Sequence, residues 1–235
     1  MTEVETVKPA RTRRVRDWLR KLITFWTLIA VVSAGALLVF ADVGEDVAER
    51  STTQLDNAVS AWFVSHQNPL IYKIALVATW IGSPAVMVLI AIAAGVWFYG
   101  RSGGSKAGVM VAAPAVGGLL SGTIKVFYGR ARPAGAALLN EHTYSFPSGH
   151  AATSAAVMVS LCYVLARERM ISWPTAIVIG GGVPLIVGLT RLYLNVHWFT
   201  DVIGGWTVGL FVAAISAALY ERLRQSAPPE AEVAA

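Results

Sequence analysis

The sequence predicts an all-α integral membrane protein: a six-transmembrane-helix bundle with an extra amphipathic surface helix between the first two spans. Three observations predict it. Of 235 residues, 55% are hydrophobic and only 14% are charged, whereas a soluble domain carries roughly a quarter charged residues. The apolar residues gather into runs close to the ~20 residues that cross a bilayer. The breaks between runs are short, so no polar linker divides the chain into two domains. The expected organisation is a basic cytoplasmic segment over 1–21, a six-span membrane domain over 22–220, and a cytoplasmic tail over 221–235 that contains Pro228 and Pro229 and is expected to be disordered. The net charge of +5 does not point to nucleic acid, because the excess sits in short segments rather than on one soluble face. The single cysteine, Cys162, lies inside an apolar run and has no intrachain disulfide partner.

The elements follow in order. Residues 1–21 are arginine-rich, and the apolar run Leu22 to Ala41 comes next. A basic start before an apolar run also fits a signal peptide, but this run is longer than a typical signal core and no small-residue cleavage site follows it. It is therefore expected to remain as the first span. Residues 42–70 are acidic and then amphipathic. Leu55, Val59, Trp62 and Phe63 share one helical face, with Asp56, Asn57 and Ser60 off it. Such a helix either lies along the membrane surface or caps the bundle. The second span covers about 71–99, with a kink predicted at Gly82 and Pro84. The third covers about 107–127, the fourth 148–166, the fifth 173–192 and the last 198–220. Gly180, Gly181, Gly182 and Gly188 are expected to let the fifth helix approach its neighbours closely.

Orientation follows from the distribution of Lys and Arg. With the N-terminus inside, inner segments hold seven basic residues before Leu22 and two in each of the three later inner segments, out of 19 in all. Both termini are therefore expected in the cytoplasm, in a plasma membrane. Four of the outer cations, Lys125, Arg130, Arg132 and Arg191, oppose that bias and need a compensating charge.

Those cations belong to three polar clusters at the outer ends of spans three to six. The first reads KVFYGRARP, Lys125 to Pro133; the second PSGH, Pro147 to His150; the third TRLYLNVHWFTD, Thr190 to Asp201. In the first, arginine can grip a phosphate bidentately while lysine acts as a point charge; interfacial anchoring is the plainer alternative. In the second, Ser148 is a good N-cap, Gly149 lets a ligand approach the backbone, and the helix start attracts anions. His150 sits in that first turn. In the third, His197 and Asp201 are spaced i, i+4 and face each other on a helix. A carboxylate on one imidazole nitrogen fixes the tautomer and raises the basicity of the other. His150, His197 and Asp201 have the donor types of a metal site, but four neighbouring cations would repel a divalent ion. No metal and no cofactor is expected. The inventory suits binding a phosphate and moving it to or from a histidine.

The three clusters, in this order and spacing, resemble the type 2 phosphatidic acid phosphatase family, the lipid phosphate phosphatases. Their pattern is Lys-x6-Arg-Pro, then Pro-Ser-Gly-His, then Ser-Arg-x5-His-x3-Asp, and it covers Lys125 to Asp201 here. The single departure is Thr190 in place of the usual serine. The resemblance implies that Lys125, Arg132 and Arg191 hold the phosphate oxygens, with the Ser148 and Gly149 backbone N–H groups and the Ser148 hydroxyl completing the cradle. It implies that His197 attacks phosphorus, oriented by Asp201, and that His150 protonates the leaving oxygen. The residues alone do not divide these roles between the two histidines, although the Asp201 partner favours His197 as nucleophile. Arg130 and Thr190 are possible additions to the cradle. Glu141, His142 and Tyr144 lie in the loop before Pro147 and are expected to be ordinary loop residues, with contact to substrate as the alternative, and His66 is expected at the surface.

A site at the outer membrane face suits a lipid phosphate or diphosphate, such as a polyprenyl diphosphate, phosphatidylglycerol phosphate or phosphatidic acid. The bilayer and this lipid are the expected partners, and the oligomeric state stays open. Segment 51–66 is expected to shape substrate access. The competing readings are a lipid phosphotransferase using the same histidine and a non-catalytic anion- or lipid-binding membrane protein.

Overall fold

The computed structural model describes residues 10–102, 104–134, 138–139 and 143–226, with the backbone alone described over 10–22 and most of 102–119. Among these residues helix is the only regular secondary structure: α1 (Ala10–Glu49), α2 (Thr53–Ser65), α3 (Pro69–Ile81), α4 (Pro84–Ser102), α5 (Gly104–Tyr128), α6 (Gly149–Arg167), α7 (Trp173–Tyr193) and α8 (Phe199–Ser226). Within the described residues, five stretches are long and apolar enough to cross a membrane: Ile23–Glu49, Pro84–Arg101, Gly149–Arg167, Trp173–Tyr193 and Phe199–Gln225. The third predicted span falls within α5, 25 residues long. Leu28, Val31, Leu38, Val77, Trp80, Leu89, Val96, Ile177 and Val178 are all exposed, an apolar perimeter that suits lipid rather than water.

The helix α6 is central, packing on α4, α5, α7 and α8, while α1 lies along α8. Small residues make its contact with α8 close. Ala151, Ala152, Ala155 and Ala156 of α6 are buried, opposite Gly205 and Gly209 of α8. The sequence placed this role on the glycines of α7. Of those, Gly180 packs against Cys162, and Gly188 against Trp206 and Val202, but Gly181 and Gly182 face open space. Trp206 also donates its indole N–H to the Pro184 carbonyl at 3.0 Å, an acceptor whose ordinary helical donor would be the amide of Gly188.

Three boundaries differ from expectation. Helix α1 runs on through the acidic stretch to Glu49, where Arg50 at φ 61 turns the chain. The predicted second span is two helices, because the chain breaks at Gly82 and Ser83 rather than bending. Gly82 sits where a Cβ would lie 2.2 Å from Val187, so α3 ends against α7. At 13 residues and ~1.5 Å per residue, α3 is too short to cross ~30 Å of hydrocarbon, whereas α4 is long enough. Finally, α8 continues to Ser226, so 221–226 of the expected disordered tail is helical; residues 227–235 lie outside the described residues.

Helix α2 also differs. Its one fully buried residue is Asp56, which the helical periodicity placed off the packing face. Val59 and Phe63 do pack on the core around Leu192 and Val202, and Ser60 donates to the Asn195 side chain at 2.7 Å. Leu55 and Trp62, from the same apolar stripe, stay 50% and 56% exposed. The helix docks on α7 and α8 by a mixed face and turns Leu55 and Trp62 outward.

Candidate active site

The end of the bundle where α1 terminates gathers the last turns of α5 and α7 and the first turns of α6 and α8. All three polar clusters meet there. Lys125 lies in the last turn of α5, and Gly129 at φ 56 ends that helix, a left-handed conformation that glycine adopts without penalty. The chain then runs without regular structure through Arg130 and Arg132. Lys125 Nζ donates to the carbonyls of Tyr144 (2.5 Å) and Ser145 (3.2 Å). Arg132 is held by the carbonyls of Thr143 (2.7 Å) and Val196 (2.6 Å) and the Thr143 hydroxyl (3.0 Å). This clamp puts Arg132 Nη1 3.1 Å from His197 Nε2.

His197 is 3% exposed. Its Nδ1 faces Asp201 Oδ2 at 3.2 Å, and the same oxygen accepts the Trp198 amide at 2.8 Å. Asp201 Oδ1 accepts from Arg130 Nη1 at 2.7 Å and from Ser145 Oγ at 3.4 Å. A fully buried carboxylate is tolerated when it is paired and hydrogen-bonded in this way. With Nδ1–H donating to Asp201, the Nε2 lone pair points at the guanidinium of Arg132. An imidazole lone pair and a guanidinium donor are thus adjacent.

Ser148 caps α6, its hydroxyl accepting the Ala151 amide at 3.5 Å. Its own N–H donates to the Asp201 carbonyl at 2.8 Å, which removes it from the expected cradle and instead ties the mouth of α6 to the start of α8. The N–H groups of Gly149 and His150 remain at the helix mouth, where no preceding turn supplies acceptors. A Cβ at Gly149 would stand 3.7 Å from Ser121 Oγ and 4.0 Å from Lys125 Cε, filling the space between backbone and cation. His150 is partly buried, and Arg191, His197, Arg132 and Lys125 are all near enough to act on its charge.

Arg191, 1% exposed, donates from Nη1 to Thr79 Oγ1 of α3 at 2.9 Å. Sequence reasoning missed Thr79, which looks like one more small residue of an apolar helix. Replacing it with valine keeps the shape and removes the acceptor, so Thr79→Val is expected to raise KM for a phosphorylated substrate about 10-fold with a smaller change in kcat, the low end of the ~1.5–3 kcal/mol that a hydrogen bond to a charged group contributes. Steady-state phosphate release checks this.

The remaining expected residues fall as follows. Arg130 does not point at the cradle; it bridges Asp201 and Asp56, the latter at 2.5 Å. Thr190 donates its hydroxyl back to the Val187 carbonyl at 2.6 Å inside α7, so its extra methyl is simply buried. Tyr144 offers its carbonyl to Lys125, His66 is exposed and stacks on Trp62 at 4.5 Å, and Glu141 and His142 lie outside the described residues. Two cavities flank Arg130 and Ala131. One, of about 650 Å³, is lined by Lys125, Arg132, Thr143 and Tyr144 together with Gly122 and Val126 of α5. The other, of about 420 Å³, includes Arg50, Asp56, Asn57, Tyr128 and Trp198.

Phosphatidylglycerophosphatase B of Bacillus subtilis is 28% identical over 180 residues, spanning 72% of this chain and 85% of that protein. The undecaprenyl-diphosphatase BcrC of Bacillus subtilis is 26% identical over 157 residues, spanning 63% of this chain and 75% of that protein. The crystal structure of a transmembrane PAP2-type phosphatidylglycerolphosphate phosphatase from Bacillus subtilis superposes with a TM-score of 0.78 at 25% identity, covering 84% of this chain and all of that one. The sequence model of the PAP2 superfamily matches residues 106–225, just over half of the chain and all three polar clusters. This multi-pass membrane protein, with helices as the only regular elements among its described residues, therefore belongs to the PAP2 superfamily.

Proposed function

We propose that the protein is a membrane phosphatase that hydrolyses a lipid phosphate or diphosphate through a phosphohistidine on His197. The observation that carries this reading is the 3.1 Å approach of Arg132 Nη1 to His197 Nε2, with Asp201 on the other ring nitrogen. A phosphate oxygen taking the Arg132 donor would bring phosphorus within reach of Nε2. Lys125, Arg132, Arg191, Gly149 N–H and the Ser148 hydroxyl spread its negative charge. Phosphoryl transfer depends on such positioning and charge stabilisation more than on covalent elaboration.

In the first step the Nε2 lone pair forms an N–P bond, the P–O bond to the lipid breaks, and His150 donates a proton to the departing oxygen. In the second, His150 takes a proton from water, the water oxygen attacks phosphorus, and the N–P bond breaks to release inorganic phosphate and restore His197. Arginines and a lysine fill the charge-neutralising role that magnesium fills in kinases, so the reaction needs no divalent ion.

The cavity against α5 supports a lipid substrate. Its cations line one side and Gly122 and Val126 another, and Val126 and Phe127 beyond are 73% and 83% exposed. A head group fits beside Lys125 while its tail runs along α5 in the bilayer. We place the site at the outer face with both termini cytoplasmic and with α5 as the sixth span. The distribution of basic residues supports this, as does the site's position at the opposite end of α1 from the basic N-terminal segment. Phosphatidic acid, phosphatidylglycerol phosphate and polyprenyl diphosphates all satisfy these requirements.

The test is phosphate release by detergent-purified protein from a panel of these lipids in excess chelator. Full activity without divalent ions and without an alcohol acceptor is expected. Activity restored only by a divalent ion would overturn the cationic cradle, and product formed only with an added alcohol would reassign the protein as a phosphotransferase.

A further inference from the structure

Outside the family match, in the surface helix α2, one carboxylate is completely buried and aimed at the catalytic end. Asp56 is 1% exposed. Its Oδ1 accepts the Thr200 amide at 3.0 Å, and its Oδ2 accepts the Thr200 hydroxyl at 2.8 Å and Arg130 Nη2 at 2.5 Å. The other terminal nitrogen of Arg130, Nη1, donates to Thr200 Oγ1 at 2.8 Å and to Asp201 Oδ1 at 2.7 Å. Thus one guanidinium spans two buried carboxylates, and the second of these holds the imidazole of His197.

We propose that Asp56 is a positioning residue for the His197–Asp201 pair, acting through Arg130 and Thr200. This rests on the phosphohistidine reading above. Two consequences of the geometry support it over simple docking of α2. First, Asp56 binds the backbone N–H of Thr200, the residue next to Asp201, so it fixes the first turn of α8 from outside that helix. Second, Asp201 has one oxygen on Arg130 and the other on His197 and the Trp198 amide. The direction of the carboxylate, and so of the ring, depends on where Arg130 stands. Arg130 carries one positive charge between two negative ones. Without Asp56, its Nη2 loses that carboxylate and the fork is free to rotate off Asp201. Catalytic groups tolerate little misplacement, and a shift near 1 Å can cost ~10²-fold in rate. Substrate binding, by contrast, uses Lys125, Arg132 and Arg191, none of which bonds to Asp56.

The experiment is steady-state phosphate release by the full chain in detergent. Asp56→Asn, Arg130→Gln, the double variant and His197→Ala are compared, with thermal melting of each. Expected for Asp56→Asn is a kcat lower by about 10-fold or more with KM within about twofold, because positioning acts on the chemical step. The double variant is expected to lose no more than the worse single one, since the two residues act through one path. Docking alone would lower the melting temperature and leave the kcat of the folded fraction unchanged. A folded Asp56→Asn protein with kcat within about twofold of wild type, or losses that multiply in the double variant, overturns the proposal. If Asp56→Asn does not accumulate in membranes, Arg130→Lys takes its place; it keeps the charge but not the fork, and the same kcat-selective loss is expected, with unchanged kcat again overturning the proposal. Undiminished release by His197→Ala would bring down the phosphohistidine reading itself, and this inference with it. An inactive His197→Ala beside a fully active Asp56→Asn removes this inference alone.

Discussion

Replacing His197 with alanine is expected to lower phosphate release by at least ~10³-fold and to abolish a trapped, acid-labile phosphoenzyme, because the attacking atom itself is gone. The fold should survive. The ring lies between Asp201 and Arg132, and without it both keep other partners: Asp201 retains Arg130 and the Trp198 amide, and Arg132 retains the carbonyls of Thr143 and Val196. The cations of the cradle are equally untouched, so His197→Ala is expected to bind the lipid phosphate about as tightly as the wild-type protein. Equilibrium binding of a short-chain lipid phosphate, read beside turnover, makes this decisive. Binding without turnover is the pattern of an enzyme stripped of its nucleophile. Residual turnover near the wild-type rate would move the chemistry away from this histidine.

The residues of this site divide sharply by how they were legible in sequence. Lys125, Arg132, Ser148, Gly149, His150, Arg191, His197 and Asp201 stand out because each is a polar residue where an apolar helix ends, and helix ends on one side of a bundle converge. Asp56 and Thr79 carry no such mark. Each bonds to partners at least 74 positions away, so nothing local distinguishes it. For Asp56 the rule of reading inverted. In a soluble helix the apolar stripe marks the buried face, but in a bilayer the stripe can face lipid while a charged residue turns inward to a partner. Leu55 and Trp62 are exposed while Asp56 is buried. The break at Gly82 was misjudged for a related reason. Glycine followed by proline signals a bend or an end equally well, and only the contact with Val187 on a distant helix decides between them.

The close contact of α6 and α8 explains how helices with so little polar surface hold a charged site to fine tolerance, and a single methyl group tests it. A Cβ at Gly205 would lie 2.5 Å from the Ser148 carbonyl oxygen, 2.8 Å from Ala151 Cβ and 3.2 Å from the Ala152 amide nitrogen. Two of these three neighbours are backbone atoms, which cannot swing aside as a side chain does. The next turn repeats the constraint, since a Cβ at Gly209 would lie 2.5 Å from the Ala152 carbonyl oxygen. Gly205→Ala must therefore push α8 away from α6. Overpacking of this kind costs about 1–3 kcal/mol, more than the helix propensity gained on replacing glycine with alanine, ~1 kcal/mol. The displacement falls on the site, because Ser148 N–H is hydrogen-bonded to the Asp201 carbonyl, one turn before Gly205. A shift there separates the mouth of α6, with the amides proposed to meet phosphate, from the His197–Asp201 pair, and a loss of about 10²-fold in kcat is expected alongside a lower melting temperature. Gly181 of α7 supplies the control. No atom lies within 4 Å of a Cβ placed there, so Gly181→Ala should melt at or above the wild-type temperature with activity intact. If Gly205→Ala behaved like Gly181→Ala, the two helices could not be as close as 2.5 Å implies, and the rigid link between the mouth of α6 and the His197–Asp201 pair would have to come from elsewhere.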